Sequence, residues 1–570
     1  MLEIKTISSL GKIYPEEILN AGSVPKSTLA NEPFSFQLAY RLSESTTQTE
    51  PIYTKIESDL PDEVISVYKE GYLPIYNPRI DWYPDITDKN DAGLFPDPLF
   101  KKKTNAKTIP TYFNTGSITV EENEKTTLVA TTASYQGLWI TLNENLGEMP
   151  IGEHYITVKF YDSRKNEYVT EKTFKFEVLD AKLDEQKLIY TSWFHCDCLA
   201  DIYNVEMFSD RHFEILRSFI SAASKTGMNM LLTPAFTPPL DTVIDGERRT
   251  AQLVKVKKTG GKYEFDFTLF EKFVNLCKEC GIKYFEHSHL FTQWGAKHTP
   301  KIMAEVDGKE KRIFGWETDS ASEEYKEFLK AYFAELLPVL EKLEIKDKIY
   351  FHTSDEPENE HYESYRHARD TIKEIYPEAK TFDALSKYKF FEDGAVDVPV
   401  VMTTSEDMPK FVENCPEFWC YYIGSCLKDG ASNRLISLPS GRNRRLGTQL
   451  YCAGAKGFLH WGYNFYYDIL SNGLYNPFEN PCNFSAMPGT SYVVYPSADG
   501  TAVPSIRMKV MFEAINDYNA LMTLERLIGR EKTMALVTEV CGEITTTTAI
   551  SDENIFALRE KVNEMILKNQ

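Results

Sequence analysis

The sequence predicts a mixed α/β protein, a (β/α)8 TIM-like barrel preceded by an N-terminal antiparallel β-sandwich. Three observations carry that prediction. Residues 1 to about 180 alternate apolar and polar positions between turn signals, with no helical period. From Leu188 onward, short apolar runs alternate with amphipathic helices, as a parallel sheet with crossover helices requires. Those runs number eight, and each passes from apolar residues into polar or aromatic ones at its C-terminal end.

The clearest N-terminal element is HYITVKFYDSRKNEYVTEKTFKFEVLD, in which residues 155–161 and 168–178 alternate on either side of the polar turn 163–166, a hairpin signature. Many such strands pack as two sheets, which sets a sandwich domain at 1–183. The polar stretch DAKLDEQK, 180–187, is the connection, and a catalytic barrel domain follows over 188–529. Its strands are LIYTSWFHCD, MNMLLTPAF, IKYFEHSHLF, KIYFHTSDEP, AKTFDALS, VPVVMTT, FWCYYIG and GFLHWGYN. Between them DRHFEILRSFISAASKTG, DFTLFEKFVNLCKECG, SEEYKEFLKAYFAELLPVLEKL and EHYESYRHARDTIKEIYP step their apolar residues by three and four. After the fifth strand the helical signal weakens. GRNRRLGTQLYCAGAKG supplies the crossover to the last strand, and 505–529 forms the closing helix. A C-terminal packing segment, 530–570, ends in the helix ENIFALREKVNEMILKNQ.

A formal net charge of -21 works against nucleic acid and anionic membrane as partners, because both are met by clustered Lys and Arg. No apolar run reaches membrane-spanning length. The start, MLEIKTISSLGKIYPEE, lacks the apolar core and cleavage site of a secretory signal, so a cytoplasmic protein is expected, with its ten cysteines reduced. Cys277 and Cys280 have the first half of a zinc-ribbon spacing without the second, and their i, i+3 separation marks the buried face of a helix. Cys196 and Cys198 are read as buried thiols in the same way. Nothing in the composition specifies an oligomeric state.

The fourth run ends FHTSDEPENEH, which sets Asp355 and Glu356 side by side at the barrel mouth with Pro357 stopping the strand. Mutual repulsion pushes their proton affinities apart and leaves one acid protonated beside one ionised, the combination glycosidic cleavage needs. As a bare dipeptide the pair reads equally as a solvent-facing strand end or a helix cap. The other strand ends add His195, Asp197, His287, His289, Trp294, Asp383, Tyr421, Tyr422, His460 and Trp461, flat faces and hydrogen-bonding groups that suit a sugar. The competing constellation is a hydrolytic zinc held by His195, His287, His289 and His460. The carbohydrate reading is preferred, so no metal and no cofactor are expected, and no third carboxylate stands out as a nucleophile.

TSWFHCDCLADIYNVEMFSD, LLTPAFTPPLDTVIDGERRTAQLV, YFEHSHLFTQWGAKHTPKI, HTSDEP, GFLHWGYNFY and VVYPSADGTAVPSIRMKV, in that order over roughly 188–529, resemble the catalytic domain of glycoside hydrolase family 123, the β-N-acetylgalactosaminidases. The resemblance implies an exo-acting enzyme that releases terminal β-linked GalNAc from glycans by a retaining reaction. In it Glu356 is the acid/base, and Asp355 orients the substrate's own 2-acetamido group, which attacks the anomeric carbon to give an oxazoline. Strand order assigns Trp461 to the floor of the sugar site and Tyr421 or Tyr422 to the acetamido carbonyl. The alternatives are a β-N-acetylglucosaminidase or broad β-hexosaminidase, which differ in the C4 epimer accepted, and a catalytically silent carbohydrate-binding protein, against which the intact acid pair counts.

Overall fold

The computed structural model of the chain describes residues 2–43, 49–78, 87–101, 121–122, 125–131, 134–162, 164–244, 246–483 and 487–570. Two sheets precede the barrel. One orders Leu2–Ser8, Phe34–Leu42, Gln136–Leu142, Ile65–Ile75 and Gly93–Lys101, all antiparallel. The other orders Ser27–Leu29, Glu167–Leu179, Gly152–Asp162, Thr49–Ser58, Lys125–Thr131 and Glu121–Glu122, antiparallel apart from the edge strand Ser27–Leu29. The anticipated hairpin is Gly152–Asp162 with Glu167–Leu179, bulged between Phe160 and Tyr161; residue 163 of its turn lies outside the described residues. Alternation turns one face of each sheet into a shared core, where Phe34 stacks on Phe176 at 5.5 Å and Phe36 meets Phe174 at 4.6 Å.

All eight anticipated runs form one parallel sheet: β1 Ile189–Ser192, β2 Met230–Thr233, β3 Tyr284–His287, β4 Ile349–Phe351, β5 Phe382–Ala384, β6 Val398–Met402, β7 Trp419–Tyr421 and β8 Gly457–His460. Their order is β4-β3-β2-β1-β8-β7-β6-β5, and a parallel bridge between Phe351 and Thr381 brings the outer two together. The barrel is therefore nearly closed, with its seam between β4 and β5. Across that seam Phe351 N–H donates to the Lys380 carbonyl at 2.8 Å and Glu356 N–H to the Ala384 carbonyl at 2.9 Å. Period-two alternation sends Met230, Leu232, Phe382, Trp419, Tyr421 and Leu459 into the barrel, and Leu231, Phe285, Phe351, Cys420, Tyr422 and Phe458 out against the helices.

The helices Asp210–Ser224, Thr268–Glu279, Glu323–Lys342 and Tyr362–Ile375 cover the outer face, and Ile506–Ile528 follows the last strand. Ser209 and Ser505 cap two of them, accepting from His212 N–H and Met508 N–H. The crossover helix Leu446–Ala453 packs so closely on Ile506–Ile528 that a Cβ on Gly447 would lie 1.9 Å from the Ala514 carbonyl oxygen. A four-stranded sheet of Lys255–Thr259, Lys262–Asp266, Ile302–Val306 and Lys309–Phe314 is inserted around β3 and was not anticipated. All ten cysteines are free, and no helix among the described residues is long and apolar enough to cross a membrane.

The N-terminal sheets and the closing helices share a core. Leu10, Tyr68, Leu99 and Trp139 pack with Ile506, Val510, Ile550 and Ile555. Arg507 pairs with Asp97 at 2.9 Å, Lys509 with Glu144, and Arg559 of the final helix Asp552–Asn569 with Glu32. A chain of residues 188–570 alone would uncover four aliphatic side chains, each worth about 1.5 to 3 kcal/mol when fully buried, and would lose three acid partners. Set against a total stability of about 5 to 15 kcal/mol, this fragment is expected to be insoluble or to lack a cooperative melt by circular dichroism. A well-folded, fully active 188–570 fragment would show that the sheets are dispensable.

Candidate active site

The C-terminal ends of the strands open on a cavity of about 300 Å³, at the small end of the range for ligand sites. His195, Trp294, Asp355, Glu356, Tyr421 and Trp461 line it, together with Trp193, Leu240 and Phe465. Asp197, His287, His289, Asp383, Tyr422 and His460 do not.

The two acids sit where the chain leaves β4 and crosses the seam. Both are half-buried. Glu356 adopts φ 43°, a left-handed conformation costing a non-glycine residue about 1 to 3 kcal/mol. It is held there because its N–H reaches Ala384 and the Asp355 carbonyl accepts Trp294 N–H at 3.0 Å. Tyr421 donates its hydroxyl to Glu356 Oε1 at 2.8 Å. Burial, and then the neighbouring Glu356, pushes the Asp355 carboxyl well above its ordinary range; burial raises Glu356 too, against the hydrogen bond from Tyr421. The adjacent acids therefore titrate as a pair.

Behind the pair lies a buried chain of polar groups. His352 sits between Asp383 (Nδ1 to Oδ1, 3.0 Å) and Glu286 (Nε2 to Oε2, 2.9 Å). Glu286 also accepts from Trp193 Nε1 at 2.9 Å and from the Thr191 hydroxyl, and Asp383 accepts from the Tyr365 hydroxyl at 2.6 Å. Burial alone would lower the imidazole, but its two carboxylate partners overcome that and hold it at about 9, so His352 is a cation at neutral pH. Its charge favours the ionised form of Asp355.

Five of the six residues behind the wall have identifiable employment; the sixth, His289, is buried with neither ring nitrogen hydrogen-bonded among the described residues. Asp383 accepts the N–H groups of Thr353 and Ser354 at 3.1 and 3.3 Å, replacing a strand ladder at the seam with a side chain. Tyr422 and His460 share the outward parity of Phe458 and pack on one another, whereas Tyr421 and Trp461 have the inward parity. His287 likewise points outward, bonded to the Tyr332 hydroxyl at 2.7 Å. Asp197 is buried in an ion pair with Arg248, which also donates to His195 Nδ1 at 3.0 Å. His195 therefore carries its proton on Nε2, facing the Trp461 carbonyl at 3.2 Å, and burial followed by Arg248 lowers it to about 3, leaving it neutral.

The proposed zinc-binding ring of four histidines does not converge, since His195, His287 and His460 each engage different partners. Among the described residues His289, His352 and Asp383 do bring donor atoms within 4.8 Å of one another. The two rings stack 4.1 Å apart and 10° from parallel, so their in-plane lone pairs run side by side, and both His352 nitrogens are engaged. That geometry does not suit tetrahedral coordination of one ion.

Trp193, Asp241 and Gln293 line the cavity without having been singled out in the sequence. Parity could have found Trp193, two residues beyond Thr191 on an inward-facing row. Asp241, in the loop after β2, is a third cavity acid that local patterning did not mark.

Two acids among aromatic side chains at the mouth of a parallel barrel suit the class of glycoside hydrolases. The family model for the glycoside hydrolase 123 catalytic domain matches residues 193–524, more than half of the chain, and the chain belongs to that family. Its fold is similar to that of a family 123 glycoside hydrolase from Clostridium perfringens, whose structure concerns glycolipid glycan hydrolysis. The TM-score is 0.70 at 16% identity, over 100% of this chain and 98% of that one. Less alike are a bacterial Ig-like domain containing GH10 xylanase from termite gut (TM-score 0.32, 11% identity, 65% and 86% covered) and a family 2 member from Bacteroides cellulosilyticus DSM 14838 (TM-score 0.26, 10%, 79% and 45%). No curated protein matches the sequence.

Proposed function

We propose that the chain is an exo-acting β-N-acetylgalactosaminidase that cleaves terminal β-linked GalNAc by substrate-assisted, retaining catalysis. The observation that carries this reading is the adjacency of Asp355 and Glu356 in one small aromatic cavity, with Glu356 on the hydroxyl of Tyr421. Two acids on neighbouring residues suit an acid/base and an amide-orienting carboxylate better than an acid and a nucleophile on opposite faces of a sugar.

In this mechanism the 2-acetamido oxygen attacks the anomeric carbon while Glu356 gives its proton to the departing oxygen. Asp355 accepts the amide N–H and balances the charge of the oxazolinium intermediate. Glu356 then takes a proton from the water that opens the ring, so configuration is retained. Burial raises Asp355 the more strongly of the two; an amide N–H donated to it, with His352 behind, favours its ionised form and leaves Glu356 as the proton donor. We further read the two N-terminal sheets as a β-sandwich domain over 1–183, with the barrel over 188–529 and a packing segment over 530–570.

A panel of nitrophenyl β-glycosides tests the assignment. Turnover of the GalNAc derivative alone is expected. Equal turnover of the GlcNAc derivative would point to a broad β-hexosaminidase, and binding without turnover to a carbohydrate-binding protein.

A further inference from the structure

Asp241 is the cavity acid that the mechanism above leaves unused. It has φ 44°, and Trp294 (57°), Glu356 (43°), Leu470 (60°) and Ser471 (56°) share the left-handed region. Four hydrogen bonds link these residues into one lock. Leu470 N–H donates to Asp241 Oδ2 at 3.0 Å, and the Ser471 hydroxyl donates to the Asp241 carbonyl at 2.8 Å. Asp241 N–H donates to Gln293 Oε1 at 3.0 Å, and the next residue, Trp294, reaches the Asp355 carbonyl. The loops after β2, β3, β4 and β8 thus hold one another in strained conformations, and such strain concentrates where a side chain must be presented in a fixed position.

What is presented is a carboxylate with no salt-bridge partner of its own among the described residues, since Arg248, the nearby cation that favours its ionised form, is paired with Asp197. Asp241 Oδ2 accepts the Leu470 N–H, and the residue lines the cavity. The described cavity wall holds three acids, Asp241, Asp355 and Glu356, and neither a lysine nor an arginine. Burial raises the Asp241 carboxyl to about 6, which still leaves it mostly ionised, an acceptor, at neutral pH.

We propose that Asp241 accepts a hydrogen bond from a ring hydroxyl of the bound sugar, and that this wall of acids selects sugars carrying no negative charge of their own. The proposal rests on the glycosidase reading and adds a substrate class to it. A hydroxyl gains a charge-assisted bond at Asp241. A sulfate or carboxylate on the sugar would instead meet like charge, with no lysine or arginine on the described cavity wall to pair with it.

The test compares wild type, Asp241→Asn and Asp241→Ala on nitrophenyl β-GalNAc and on its 6-O-sulfated counterpart. Asparagine keeps the shape and the acceptor for Leu470 N–H but removes the charge. Wild type is expected to prefer the neutral glycoside strongly. D241N should lose about 10- to 100-fold in kcat/KM on it, chiefly through KM, and should narrow the gap between neutral and sulfated substrates. Thermal melts of the variants within a few degrees of wild type establish that the loops remain folded; if D241A fails this check, D241N carries the comparison. Unchanged kcat/KM in D241N, equal use of both substrates by wild type, or an unchanged gap would overturn the proposal. Should wild type turn over a different glycoside of the panel, that glycoside and its anionic counterpart are used. With no turnover at all, the same ratio is read from calorimetric binding of free N-acetylgalactosamine. Wild-type turnover thus judges the glycosidase reading, and the variant-to-wild-type ratio judges Asp241.

Discussion

Glu356→Gln is expected to slow hydrolysis of glycosides with poor leaving groups by about 10²- to 10⁴-fold, about 3 to 5 kcal/mol of barrier, and to slow nitrophenyl glycosides far less. The substitution removes a transferable proton while keeping an oxygen that can accept from Tyr421, so the cavity should hold its shape. A sugar alcohol must be protonated as it departs, whereas a nitrophenolate leaves almost unaided. The pH profile supplies a second reading. Both acids are pushed above their ordinary values, so wild-type activity is expected to be present below the pair's raised pKa and to fall as the pH rises through it and the donor is deprotonated. That alkaline limb should vanish in E356Q. Equal losses on both kinds of substrate, or an unmoved alkaline limb, would assign the proton to another group.

The barrel was legible because each strand is a short apolar run that must be buried on both faces, and that requirement is written locally. The direction of individual side chains at the strand ends was not. Tyr421 and Tyr422 are equivalent as neighbours in a sequence, yet strand register sends one to Glu356 and the other against Phe458. His460 and Trp461 divide in the same way. Asp383 looked like a sugar ligand because it ends a strand, but the barrel closes imperfectly beside it, and its carboxylate satisfies the backbone there. The inserted sheet escaped notice because KVKKT and KEKRIF are too charged to show a buried face. The Glu286–His352–Asp383 chain joins three strands, so no spacing within one segment announces it. Asp355 and Glu356 were legible because they are adjacent, and adjacency needs no knowledge of register.

Asp355→Asn is expected to lower kcat/KM by about 10²- to 10³-fold whatever the leaving group, because orientation of the acetamide and stabilisation of the cyclised intermediate are required in every case. The contrast with E356Q matters more than either magnitude: one loss should depend on leaving-group basicity and the other should not. A thiazoline mimic of the cyclised sugar should bind wild type tightly, since it copies the intermediate rather than the ground state, and should bind D355N much more weakly. The same logic predicts that a plain β-galactoside, lacking the attacking group, is inert. The cavity does contain an alternative. Asp241 is a third acid on the wall, and a conventional double displacement would need such a carboxylate as nucleophile. Mechanism-based fluorosugars distinguish the two routes, because a double displacement leaves a sugar ester that mass spectrometry of peptides can locate. An ester on Asp241 or Asp355, or efficient hydrolysis of the plain galactoside, would sink the substrate-assisted mechanism and leave family membership untouched. Absence of any ester, combined with loss of thiazoline binding in D355N, would place the nucleophile on the substrate itself.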